Sequence, residues 1–72
     1  MSIVNSKVLL ISERIRERRE QLNYTQQYVA GKLKITQNAY SKIECGYSSL
    51  NVARMYEIAV ALETDIHTFL IQ

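Results

Sequence analysis

The sequence has no proline, one cysteine, one histidine and only two glycines among its 72 residues. A single cysteine, Cys45, excludes an internal disulfide and a cysteine-based metal cage. No apolar run approaches membrane-spanning length. Residues 1–12 contain a single lysine, a very short apolar run and no cleavage site of the signal-peptide type. We therefore expect a cytoplasmic protein without a membrane segment.

Residues suited to catalysis or metal binding are equally scarce. The sequence has no carboxylate pair, no metal-ligand cluster and no nucleophile with a partner base. His67 has no second ligand or base nearby in sequence, so an exposed surface position is its better interpretation. We expect no catalytic residue, no metal site, no cofactor and no enzymatic activity.

The charges that are present are unevenly distributed. The net charge is only +2, but residues 1–42 hold eight of the nine Lys and Arg against three Glu, which gives +5. Residues 43–72 hold one Arg against four acidic residues, which gives −3. This asymmetry suggests that one face meets an anion. Solvated helix faces are the alternative and, on charge alone, the stronger interpretation.

A cluster of arginines near the start of the chain is within reach of phosphate if the chain binds nucleic acid. Its members are Arg14, Arg16, Arg18 and Arg19. Arg14 and Arg18 alternate with Glu13, Glu17 and Glu20, so we expect both to form solvated ion pairs along a helix.

Apolar residues follow a helical spacing along the whole chain, which predicts an all-α, compact bundle of about five short helices. The first helix has alternative N-caps, which are Asn5, Ser6 and Ser12. Residues of the N-capping type precede the other four: Thr25, Thr36, Asn51 and Asp65. The second helix is then expected over residues 26–33. The fourth carries an apolar stripe, formed by Val52, Met55, Ile58, Ala59 and Leu62.

The third predicted helix, "TQNAYSKIE" over residues 36–44, has an unusual outer side. Tyr40 and Ile43 would face the protein body, which leaves two amides, a hydroxyl and an amine outside: Gln37, Asn38, Ser41 and Lys42. Asn and Gln pair with adenine in the major groove of DNA, and Lys donates to guanine. An ordinary amphipathic surface helix is the alternative, but such helices favour Glu and Lys, which form helices more readily. A helix that reads DNA is the preferred interpretation.

Two longer stretches, "IRERREQLNYTQQYVAGKLKITQNAYSKIECG" and "IAVALETDIHTFL", resemble a known family. The chain is similar to the helix-turn-helix domain of phage Cro and lambda-type repressors, also called the xenobiotic-response-element family. The resemblance covers about residues 12–70, and "TQQYVA" and "AYSKIECG" are its most specific parts. It implies a lambda repressor-like domain over residues 12–72. Residues 1–11 would be an N-terminal extension or the start of the first helix.

The resemblance also implies roles for individual residues. The base-reading positions are Gln37, Asn38, Ser41 and Lys42, and the phosphate-contacting positions are Thr25, Gln26, Tyr47 and Ser48. Arg19 and Glu44 match a pair that forms a salt bridge in the family. Lys34 replaces the usual turn glycine, which predicts a positive φ at a cost on the order of 1 kcal/mol. Cys45, and Leu50 in place of a proline, leave the phosphate contacts of the following loop open.

We therefore expect a sequence-specific, double-stranded DNA-binding transcriptional regulator: a phage repressor, an antitoxin or a restriction-modification controller. The alternative is a module of the same fold, or an antitoxin, whose main partner is another protein such as a cognate toxin.

A homodimer on a (pseudo)palindromic operator is expected, because one helix reads only about four or five base pairs. The apolar residues at the chain ends exceed the needs of a small core: Val8, Leu9, Leu70 and Ile71. A twofold interface would use the last helix, the loop near Leu50 and the N-terminal segment. Alternatively, the N-terminal stretch covers the last helix within one chain.

Overall fold

The computed structural model describes residues 6–47 and 50–70, which form five helices and, within those ranges, no strand. The helices are α1 (Ser6–Gln21), α2 (Gln26–Leu33), α3 (Gln37–Glu44), α4 (Val52–Ala61) and α5 (His67–Leu70). The prediction of an all-α bundle is confirmed. Within the described residues, no helix combines the length and the apolarity that a membrane span requires.

The N-termini of α2 to α5 are capped by the residues expected from the sequence. The cap oxygens of Thr25, Thr36 and Asn51 each accept a backbone N–H three residues later. Asp65 Oδ1 accepts the N–H of His67 at 2.9 Å. Ser12 as the cap of α1 is wrong, because α1 begins at Ser6 and Ser12 is buried in its interior. Asn5 lies outside the described residues.

The C-termini of α1 to α4 share one geometry, in which the chain turns through a residue with positive φ. These residues are Asn23, Lys34, Gly46 and Glu63. At the end of α2, Lys34 has a φ of 60°. Its N–H donates to Gly31 O at 3.1 Å, and the next N–H, of Ile35, donates to Ala30 O at 3.0 Å. These paired hydrogen bonds satisfy carbonyls that a helix end leaves free.

The core draws residues from every helix. It consists of Ile15, Val29, Ala30, Tyr40, Ile43, Ile58, Ala59, Ala61, Leu62, Ile66 and Phe69. One residue of the apolar stripe predicted for α4 does not take part, since Val52 is 61% exposed. Val52 lies four and eight residues before Tyr56 and Val60, which are also exposed, so the three share the outer side of α4. The expectation for Val52 is therefore wrong, and α4 is apolar on two sides.

The C-terminal end of α4 is bonded to cations from two other helices. Arg18 donates through Nε to Leu62 O and through Nη2 to Glu63 O, both at 3.0 Å. Lys32 Nζ donates to Ala61 O at 2.9 Å. A helix C-terminus carries partial negative charge on its free carbonyls, so cations stabilise it.

The first helix also reaches α5, where Arg14 Nη1 donates to Phe69 O at 3.4 Å. The expectation that Arg14 and Arg18 form ion pairs with neighbouring glutamates is therefore wrong, because their guanidinium groups donate to backbone carbonyls that are distant in sequence. Residues 1–42 contain eight cations. Four of these bond to other parts of the fold and stabilise it: Arg14, Arg18, Arg19 and Lys32. Less of the positive charge is available to an anion than the sequence suggests.

Candidate nucleic-acid interface

Helices α2 and α3 pack against each other and are joined by three residues, 34–36. The positive φ of Lys34 reverses the chain, and Ile35 packs against the core at the turn. Thr36 then caps α3 through its hydroxyl, which accepts the N–H of Ala39 at 3.0 Å. These contacts set the direction in which α3 leaves the turn.

The two long sides of α3 differ in burial and in chemistry. Tyr40, Ile43 and Glu44 are buried, with 0%, 5% and 9% of their surface exposed. The opposite side presents the predicted base-reading residues, of which three are exposed and Ser41 is half-buried: Gln37, Asn38, Ser41 and Lys42. The structure therefore brings these four side chains to one outward surface, on a helix whose other side is fixed.

The N-terminus of α2 contains two of the four predicted phosphate contacts. Thr25 is exposed, and its hydroxyl is occupied as the cap of α2. Gln26 is half-buried at the first position of the helix. Neither α2 nor α3 has an acidic residue in its own first turn, and the absence of acidic side chains at these positions favours an anion at a helix N-terminus.

The other two predicted phosphate contacts follow α3. Tyr47 is 77% exposed, directly after the turn that ends the helix. Ser48 lies outside the described residues. Cys45, the C-cap of α3, is exposed and free.

Arg19 and Glu44, the pair implied by the resemblance, are in contact through two hydrogen bonds. Arg19 donates through Nε to Oε2 at 2.7 Å and through Nη2 to Oε1 at 3.0 Å. Its remaining nitrogen, Nη1, donates to Tyr24 O at 2.8 Å. The two side chains are only 12% and 3% exposed. The pair therefore ties α1 to the end of α3 inside the protein.

A third donor reaches the same carboxylate, and no sequence pattern predicts it. Gln26 Nε2 donates to Glu44 Oε1 at 3.0 Å, across 18 residues of chain. Burial raises the pKa of Glu44, but Arg19, Tyr40 and Gln26 together lower it by more than burial raises it. The pKa of Glu44 therefore lies below its ordinary value. The hydrogen bond to Glu44 likewise raises the pKa of Arg19. Both effects favour the ionised pair.

The hydroxyl of Tyr40 lies beside this carboxylate but makes no bond of good geometry. It is buried with no hydrogen-bond partner among the described residues, although it is near enough to Glu44 to affect its pKa. Burial, ahead of the nearby carboxylate, raises the pKa of Tyr40. Tyr40 therefore acts as a neutral core residue that anchors α3.

The helix-turn-helix family model HTH_3 matches residues 15–69. The chain belongs to the Cro/C1-type helix-turn-helix family. The family resemblance is thus confirmed, and the chain shares the general function of the family as a DNA-binding regulator of transcription. No curated protein matches the chain.

Two crystal structures have the same fold at low sequence identity. One is the clp gene regulator ClgR from C. glutamicum, with 16% identity and a TM-score of 0.85 over 89% of this chain and 83% of that one. The other is the restriction-modification controller protein C.AhdI from Aeromonas hydrophila. It has 17% identity and a TM-score of 0.84 over 90% of this chain and 98% of that one.

Proposed function

We propose that the chain regulates transcription by binding a specific site in double-stranded DNA with α3 in the major groove. The observation that carries the proposal is the division of α3 into a buried side and an outer side of amides, a hydroxyl and an amine. Gln37 and Asn38 would pair with adenine, and Lys42 would donate to guanine. Ser41 would lie between the base edges and the backbone.

The phosphate contacts would come from the N-terminus of α2 and from the end of α3. Thr25 and Gln26 stand where free backbone N–H groups favour an anion. Tyr47 has an exposed side chain that can donate through its hydroxyl. Ser48 remains a prediction from the resemblance. A regulator of this kind would act in the cytoplasm.

We assign the chain a homodimer on a (pseudo)palindromic operator, with two copies of α3 about 34 Å apart. Exposed leucines near the contact between α1 and α5 support this assignment: Leu9, Leu10 and Leu70 are 40%, 38% and 46% exposed. These leucines lie near the start of α1 and at the end of α5, and contacts within one chain leave them partly exposed. A twofold interface through α5, with the loop near Leu50 and the start of α1, would cover them.

Selection of bound fragments from random genomic DNA, at low and at moderate salt, tests the function. The wild-type protein should enrich a small set of fragments, and a Gln37→Ala, Lys42→Ala double variant should lose that enrichment. The double variant should still bind DNA weakly at low salt, because phosphate contacts carry no sequence information. Equal behaviour of the two proteins would contradict the assignment of α3.

Sedimentation equilibrium at micromolar concentration tests the dimer. The wild-type protein should sediment at twice its chain mass of 8.4 kDa. A Leu70→Glu variant should be monomeric, and Val60→Glu, at a more exposed position on α4, should remain dimeric. An 8.4 kDa wild-type species that stays monomeric on a half-site would contradict the proposal.

The outer side of α4 favours a second candidate function, a module that binds another protein. Val52, Tyr56 and Val60 are 61%, 56% and 76% exposed along one line of the helix, and an apolar stripe of this kind suits a protein contact. If a cognate toxin were the main partner, no DNA fragment would be enriched. An adjacent toxin, methyltransferase or integrase gene would decide among antitoxin, restriction-modification controller and phage repressor.

A further inference from the structure

Glu44 is the one buried carboxylate among the described residues, and it stands at the last position of α3. It accepts hydrogen bonds from two other helices: two from Arg19 in α1 and one from Gln26 in α2. A salt bridge that only joined α1 to α3 would not need the third donor. The contact with Gln26 therefore indicates that Glu44 has a second role, at the start of α2.

A glutamine amide has two faces of similar shape, with N–H donors on the nitrogen and an acceptor on the oxygen. An ionised carboxylate only accepts, so Gln26 must turn Nε2 and not Oε1 towards Glu44. This hydrogen bond uses one of the two N–H groups on Nε2. No other described residue accepts from the second N–H, and Gln26 is only half-buried, so this donor is available to a ligand.

Arg19 makes this arrangement compatible with DNA. A free carboxylate beside the N-terminus of α2 would repel a phosphate, but both oxygens of Glu44 accept from the Arg19 guanidinium. The two-point contact also fixes the plane of the carboxylate. Because the Glu44 side chain is 3% exposed, little water reaches its carboxylate to compete with the hydrogen bond from Gln26.

We propose that Glu44 is a positioning residue for DNA binding, which holds the Gln26 side chain so that its second Nε2 N–H donates to a backbone phosphate. This inference rests on the proposed function, in which Gln26 contacts phosphate. Fixing the side chain before binding removes part of the entropy loss that DNA binding would otherwise carry. The gain applies to every sequence, because the contact is to the backbone.

A double-mutant cycle tests the inference through DNA affinity. The proteins are the wild type, Glu44→Gln, Gln26→Ala and the double variant, each titrated with a selected duplex and a scrambled duplex. Glu44→Gln keeps the shape of the side chain and an acceptor for Arg19, but allows the Gln26 amide to face either way. It should weaken binding to both duplexes about three- to tenfold, and should cause no further loss when Gln26 is already alanine.

Equal losses from Glu44→Gln in both backgrounds, or no loss in the wild type, would overturn the inference. Full affinity of the Gln26→Ala variant would also overturn it, while leaving base reading by α3 intact. A wild-type protein that binds no duplex would overturn the proposed function itself. Thermal melts of all four proteins separate a loss of binding from a loss of folding.

A measurement on the unmodified protein covers the case in which the Glu44→Gln variant does not fold. In NMR spectra, one side-chain N–H proton of Gln26 should exchange slowly and should shift as Glu44 is protonated by acid. The exposed neighbour Gln27 is the control and should show neither effect. Adding duplex should then shift the Gln26 Nε2 signals. Gln26 signals that behave like those of Gln27 throughout would overturn the inference.

Discussion

The inner and outer sides of α3 differ in whether their side chains are bonded to the rest of the protein. On the inner side, Tyr40 and Ile43 are buried in the core and Glu44 is bonded to two other helices. On the outer side, Gln37 and Lys42 make no hydrogen bond to other described residues. One helix of eight residues thus separates the part that sustains the fold from the part available to a partner. Substitutions on the two sides should therefore have effects on different measurements.

The largest effect is expected from Glu44→Ala on the inner side. The change leaves Arg19 buried without its partner, which should lower the free energy of unfolding by about 3–5 kcal/mol. Urea unfolding measures this loss. Glu57→Ala is the matched control, because it removes an exposed pair with Arg54 at 3.1 Å; it should cost less than about 1 kcal/mol. Similar losses for the two variants would remove the distinction between a buried and an exposed pair.

The next largest effect is expected from Gln37→Ala or Lys42→Ala on the outer side. Each should lose about 1–3 kcal/mol of binding at the selected site while sparing binding to a scrambled duplex. Each should leave the free energy of unfolding within about 0.5 kcal/mol of the wild type, because the side chains are exposed. Gln26→Ala should instead weaken all sequences to a similar extent. If both alanine variants keep full discrimination, α3 is not the reading helix.

A smaller effect is expected at the turn that joins α2 to α3. Lys34 adopts a φ of 60°, which glycine tolerates without steric cost. Lys34→Gly should therefore stabilise the protein by about 1 kcal/mol in urea unfolding. Gly46→Ala should do the opposite, since φ there is 78° and a Cβ would lie 2.9 Å from Leu9 Cδ2. A destabilised Lys34→Gly variant would show that the lysine side chain supports the turn.

The smallest effect is expected from a change of pH, because protonation leaves the carboxyl group of Glu44 in position. Its folded-state pKa lies below the ordinary value of 4.5. Its contribution to stability is therefore present above that value and is lost as the pH falls through the lower, folded-state pKa. The difference in unfolding free energy between the wild type and Glu44→Gln should shrink over this range. A difference that grows on acidification would contradict the direction of the shift.

Much of the fold can be predicted from local sequence, because helix boundaries depend on residues close together in the chain. Thr25, Thr36 and Asn51 cap their helices as predicted, and Lys34 takes the positive φ that its position indicated. The family was predictable from two short motifs. The outward side of α3 followed from the spacing of Tyr40 and Ile43.

Contacts between distant segments could not be predicted from the sequence in the same way. Arg18 lies among glutamates in sequence, yet its guanidinium group donates to backbone carbonyls at the end of α4. Val52 fits an apolar stripe, but which side of α4 faces the core depends on how α4 packs against α2. The bond from Gln26 to Glu44 requires the start of α2 to meet the end of α3, across 18 residues of chain. Helical periodicity alone does not specify any of these arrangements.

An NMR titration of the protein with its selected duplex tests whether α3 is the helix that binds DNA. If α3 reads DNA, the backbone and side-chain signals of Gln37, Asn38 and Lys42 should shift most, together with those of Gln26 at the start of α2. Signals from the outer side of α4, such as those of Val60, should stay in place. Shifts confined to the outer side of α4, with α3 unchanged, would contradict the proposal, because the duplex would then contact α4 and not α3.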